Sequence, residues 1–199
     1  KIADRLLQKF PESMEGLAVV LPSKRAVVFL KHYLSQKIKN PIFLPEFFAI
    51  EEFVEQLSGL MVLDNTSLQF RLYQSYLAHP PKNADSFDEF LNWSNVLLHD
   101  FNEIDRNLVD AKTLYSNLRN VKELEGWSVE DWSLSDAKLT DEQTDYLSFY
   151  EGMYSWYNQF STTLLKDNLA YQGLAYRTAA TQIATKELSW EKVWFVGLN

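Results

Sequence analysis

Hydrophobic positions recur every third or fourth residue along most of the chain, and only in a few short stretches do they run together. In IADRLLQKF (2–10), Ile2, Leu6, Leu7 and Phe10 share one helical face, and Pro11 ends the run. GLAVVLP (16–22) is short, rich in β-branched residues and bounded by Gly and Pro, the pattern of a buried strand. Ser23 is placed to cap a helix whose apolar positions Val27, Leu30, Tyr33, Leu34 and Ile38 recur at spacings of three and four. PIFLP (41–45) predicts a second short strand, and AIEEFVEQLSGL (49–60) a helix ended by Gly59.

From about 65 to 165 the pattern predicts helices without strands. One covers 66–78 and is closed by Pro80-Pro81; another covers 86–104, with Ser86 and Glu89 in capping-box spacing. A shorter helix is predicted at 110–118 and a long one at 141–164, while 119–139, with Gly126, Trp127 and Trp132, reads as irregular. Residues 171–186 predict a further helix and 193–196 a last strand. The order predicts a mainly helical α/β protein: a parallel sheet domain begun in 1–64, interrupted by a helical lobe over 65–168, and resumed in 169–199 with its sheet incomplete. Lys1 in place of Met, and Asn199 directly after an apolar run, read as a piece of something longer.

Composition agrees with a packed globule, since 46% of the 199 residues are hydrophobic, 15% aromatic, and Gly and Pro number only six each. With no Cys there is no disulfide framework, thiolate metal site or cysteine nucleophile. No apolar run reaches the roughly 18 residues of a membrane span, and no signal-peptide pattern opens the chain, so a cytoplasmic protein without a membrane partner is expected. Net charge is −8, which taken whole argues against a nonspecific nucleic-acid binder. The average hides a split: residues 1–45 hold eight Lys/Arg against Asp4, Glu12 and Glu15, a surplus of five cations that leaves −13 for the remainder. Such asymmetry suggests a basic patch on an acidic body, although exposed lysines on helices are ordinary.

Candidate chemistry is sparse. The six glycines, at 16, 59, 126, 152, 173 and 197, include no pair with the spacing of an ATP-binding phosphate loop, so no cofactor is expected in this segment and ATP binding is disfavoured. Ser23-Lys24-Arg25 is a different object: a helix start offers unpaired N–H groups and partial positive charge, and two cations in its first turn add attraction for an anion. Two readings stand, solvated or carboxylate-paired cations on one side and phosphate contact on the other. Asp100, Glu103 and Asp105 in HDFNEIDRN lack the glycine and distal Glu of a calcium loop, and the spacing predicts a solvated helix end without metal. His32, His79 and His99 form no ligand pair. Tyr146, Phe149, Tyr150, Met153, Tyr157 and Phe160 lie at helical spacing and predict core, with a base-stacking platform as the alternative. VWFVGLN ends in Gly197, Leu198 and Asn199, where an ATPase would carry the acids that hold Mg²⁺ and orient water, so no catalytic residue is expected.

Taken in order, LPSKRAVVFLKHYL, PIFLPEFFAIEEFVEQLSGL, FDEFLNWSNVLLHDFNEIDRNLVDAKTLYSNL, LAYQGLAYR and KVWFVGLN resemble the N-terminal region of the AddB-like helicase-nuclease proteins, the RecB-related PD-(D/E)XK group of the Bacteroidetes type. The resemblance runs along nearly the whole chain. It implies a RecA-like, superfamily-1 helicase fold (P-loop NTPase-like) with a helical accessory lobe and a degenerate ATP site. It also implies a larger protein with a nuclease further on, acting with an ATP-driven partner subunit in DNA repair and recombination. LPSKRA is similar to the helicase element that meets single-stranded DNA, so the resemblance assigns Ser23, Lys24 and Arg25 to DNA phosphate. The alternative expectation is a protein-interaction scaffold that docks the partner helicase subunit without touching DNA.

Overall fold

The computed structural model describes residues 1–125 and 141–198, and side chains in 1–118, at 149 and in 152–198. It is mixed α/β and mainly helical, and the described chain forms two compact units, 1–59 with 178–199, and 60–177.

The first unit begins with helix α1 (Ile2–Lys9), strand β1 (Leu17–Leu21) and helix α2 (Lys24–Lys37). Strand β2 (Glu46–Ala49) and helix α3 (Ile50–Ser58) follow. After the second unit the chain returns with a last strand, Lys192–Phe195, which pairs with β1. The three strands form a parallel sheet with β1 in the centre, in register from Ala18 opposite Glu46 to Leu21 opposite Ala49, and from Leu17 opposite Lys192 to Val20 opposite Phe195. Centrality explains the sequence: a parallel strand covered on both faces is apolar throughout, and all five β1 residues are buried. The covered faces of α1 and α2 supply Leu6, Val27, Leu30 and Leu34 to the core around Leu17 and Val19. Gly59 ends α3 in the left-handed region at φ 71°, and the Lys186 ammonium donates to the Gln56 and Leu57 carbonyls in that helix's last turn, at 3.2 and 2.6 Å.

Two expectations are corrected here. The second strand lies at 46–49 rather than 41–45, because Pro41 and Pro45 bring no N–H to a ladder; the stretch between them stays irregular, with Phe43 accepting a 2.9 Å bond from the Met14 N–H through its carbonyl. Tyr33, placed by periodicity on the buried face of α2, is 54% exposed.

The second unit opens with a two-residue strand, β3 (Met61–Val62), and continues through helices α4 (Asn65–Ala78), α5 (Phe87–Arg106), α6 (Ala111–Glu125) and α7 (Asp141–Lys166). Strand β4 (Leu169–Ala170) then pairs in parallel with β3. Helix α8 (Gln172–Gln182) follows, and in chain order the last strand of the first unit is β5. Residues 119–125 are helical where an irregular stretch was expected; the rest of that stretch, 126–139, lies outside the described residues. α5 starts with a capping box: the Ser86 hydroxyl accepts from the Glu89 N–H while the Glu89 carboxylate accepts from the Ser86 N–H at 2.9 Å.

Aromatic rings fill the space among α4, α5 and α7. Tyr76 lies 5.0 Å from Phe90 and 5.1 Å from Trp156, centroid to centroid, and each buried polar tip finds a partner. The Trp156 indole N–H donates to the His79 carbonyl at 2.8 Å, and that of Trp93 to Asp85 at 2.8 Å. Gly173 sits against the Asn102 backbone so closely that a Cβ would overlap its carbonyl oxygen, and the Gly173 N–H donates to the Asn102 side chain at 2.7 Å. No helix among the described residues is long and apolar enough to cross a membrane.

Candidate nucleic-acid interface

In an open parallel sheet, ligands bind beyond the carboxyl ends of the strands, where helix N-termini gather. Here β1 ends at Leu21, and Pro22 turns the chain into α2. Ser23 is the N-cap: its backbone is extended and its hydroxyl accepts from the Ala26 N–H at 3.3 Å. Its role is thereby structural as well as positional, since it fixes the direction in which α2 leaves the sheet.

Lys24 and Arg25 occupy the first turn of α2, which contains no acid. The Lys24 ammonium reaches Glu52 at 3.1 Å, with the Lys24 side chain 78% and the Glu52 side chain 39% exposed. Arg25 is exposed and makes no ion pair among the described residues; its guanidinium lies over the Phe29 ring, 5.5 Å from the centroid. The three predicted residues are therefore adjacent, exposed and at one sheet edge, and the carboxylate-paired reading holds for Lys24 alone.

The neighbouring helix start has the opposite character. β2 lies beside β1 and leads into α3, whose first turn carries Glu51 and Glu52. The Glu52 carboxylate accepts from the Ala49 N–H at 3.1 Å, and this bond, reinforced by Lys24, holds its pKa below the usual carboxylate range. Two acids in its first turn make the α3 start repel anions, whereas the α2 start, one of whose amides is taken by Ser23, presents two cations. An exposed Lys–Glu pair is worth at most about 1 kcal/mol, so a phosphate can take Lys24 from Glu52 at little cost.

β5 ends at the same edge. The Val196 N–H donates to the Val20 carbonyl at 2.9 Å, and Gly197 takes φ 72°, where a Cβ would meet the Pro22 ring at 3.7 Å. Gly197 and Leu198 follow β5 at this edge; Asn199 lies outside the described residues. A groove of about 1170 Å³ lies elsewhere in this unit, lined by the exposed face of α1, including Lys1, Arg5 and Lys9, and by Trp194 to Gly197 of the β5 segment. None of Ser23, Lys24 and Arg25 lines it.

The other sequence candidates fall apart as sites. Asp100 is exposed and Glu103 bonds its own helix end, but Asp105, expected in a solvated cluster, is fully buried. It accepts from the Tyr157 hydroxyl at 2.5 Å, from the Tyr171 hydroxyl and from the Arg177 Nε at 2.6 Å. Arg177 in turn donates to the Ile104 and Val109 carbonyls at 3.0 and 2.6 Å, tying down the α5–α6 turn in which Leu108 has φ 56°. Every strong donor around this carboxylate is committed, which makes it a structural lock. In the aromatic stripe Phe160 is buried and Tyr157 serves that lock, while Tyr146 and Tyr150 lie outside the described side chains. Trp156 of α7, as deeply buried as Phe160, lies off the predicted stripe.

No protein-family model matches the chain, and neither does any curated protein sequence.

Proposed function

We propose that the chain is a helicase-like, RecA-type domain without ATPase activity, which contributes single-stranded DNA binding to a larger repair helicase-nuclease acting with a partner subunit. The observation that carries this reading is the α2 start: two exposed cations and a capped helix N-terminus at the carboxyl edge of a parallel sheet, beside an α3 start closed to anions. Family resemblance supplies the setting, in which this corner meets the sugar-phosphate backbone and the nuclease chemistry lies in another part of the protein. Ser23 orients the corner, and Lys24 and Arg25 neutralise phosphate.

Binding of a labelled single-stranded oligonucleotide, measured by anisotropy across a salt series, tests it. Lys24→Ala with Arg25→Ala is expected to weaken binding and to lower the slope of log affinity against log salt by roughly 1.4, two contacts at about 0.7 each. Unchanged affinity and slope would remove the site. A second reading, a scaffold that docks a partner helicase subunit without DNA contact, draws on the −13 charge of residues 46–199. Partner binding by a chain with no measurable affinity for DNA at low salt would select it.

A further inference from the structure

The exposed side of α2 continues beyond its first turn. Phe29 and Tyr33 follow Arg25 at four-residue steps, so the three side chains form one ridge that advances about 6 Å per member. Phe29 is 49% and Tyr33 54% exposed, and Val28 beside them 66%. A helix packed on one side of a sheet ordinarily turns polar residues outward, so two neighbouring aromatic rings there call for a partner. The charge says which kind. α2 carries Lys24, Arg25, Lys31 and Lys37 with no Asp or Glu, in a chain of net charge −8. Arg25 overlies Phe29, so cationic and aromatic surfaces meet there, and the His32 ring stands 6.0 Å from that of Tyr33. A purely apolar protein surface laid here would have to cover Arg25 without counter-charge, whereas a single strand of nucleic acid offers both phosphates and ring faces.

We infer that Phe29 and Tyr33 are a base-stacking ridge for single-stranded nucleic acid, with Arg25 at its start bridging the stacked bases and the backbone held at the α2 N-terminus. This rests on the phosphate reading of Lys24 and Arg25 and adds a contact to bases, which that reading does not require.

The test compares two labelled strands of equal length and charge, a thymidine homopolymer and its abasic counterpart, on the full 199-residue chain. Phe29→Ala with Tyr33→Ala is expected to weaken binding of the thymidine strand by roughly fivefold or more per ring, leaving the salt slope and the abasic affinity unchanged. Phe29→Leu with Tyr33→Leu, which keeps apolar bulk and guards against misfolding, is expected to show the same selective loss. Equal binding of both strands by the wild-type chain, or an equal loss on both strands in the aromatic variants, overturns the ridge. Loss of self-association or protein binding with DNA affinity intact also overturns it and assigns the face to a protein. Failure of the Lys24/Arg25 double variant to alter binding of either strand overturns the phosphate reading instead, so the two failures are told apart.

Discussion

Asp105 gathers three side-chain donors from distant parts of the chain. Removing it takes the carboxylate from the half-buried Arg177, which keeps its two carbonyl partners, and the acceptor from the buried Tyr171 hydroxyl and the half-buried Tyr157 hydroxyl, so Asp105→Ala should destabilise the fold by about 1–3 kcal/mol, read from the urea midpoint. The tyrosines set a pH dependence of definite sign. Burial, then the Asp105 charge, pushes the Tyr171 hydroxyl well above its ordinary value; Tyr157 and Tyr115 are also raised, by burial first. Because the folded-state values lie above the unfolded one, the stabilisation is complete below pH of about 10 and is lost as the solution becomes more alkaline. Chemical denaturation between pH 8 and 11 should show stability falling above about 10, and less steeply in Tyr171→Phe. None of this was legible locally. The partners of Asp105 stand 52, 66 and 72 residues away, and at the end of an amphipathic helix one more acid looks like any solvated acid. Ser23, by contrast, was legible, because an N-cap is a contact with a residue three positions on.

For whole elements, the same distinction between local and distant causes decides what spacing could reveal. Helix starts and stops are written in neighbouring residues: Ser86 with Glu89 opens α5, and Gly59 closes α3. Ser86→Ala should cost about 1 kcal/mol in thermal unfolding. Strands fared worse. β2 is chosen by its parallel pairing with β1, which excludes the prolines at 41 and 45, and the two-residue strands β3 and β4 are too short to display any period. Gly173 also looked unremarkable inside a helical pattern. Its Cβ-free surface lets α8 approach the Asn102 backbone, so Gly173→Ala should destabilise by about 1–3 kcal/mol through overpacking, with the melting temperature as the readout. α2 is the instructive case among the candidate-site elements: spacing located the helix and its cap but put Tyr33 inside, since Tyr fits a core stripe as readily as an exposed ridge.

On the scale of the molecule, the split of charge between the first 45 residues and the rest was plain from composition, and it is the first unit that carries the cationic α2. The second unit, 60–177, is one continuous segment with its own buried aromatic and leucine core, including Leu72, Phe90, Phe101, Trp156 and Leu164. Expressed alone it should fold, giving a helical far-ultraviolet spectrum and a cooperative thermal transition; a broad, non-cooperative loss of signal would show that it needs the remainder. The first unit is discontinuous, and β1 pairs with residues that arrive some 175 positions later. On the ribosome, at about 5–20 residues per second, the nascent β1–β2 pair must wait about 7–30 seconds for its third strand. Throughout that interval one ladder of β1 amides is open to any passing extended chain, and it closes only when β5 arrives.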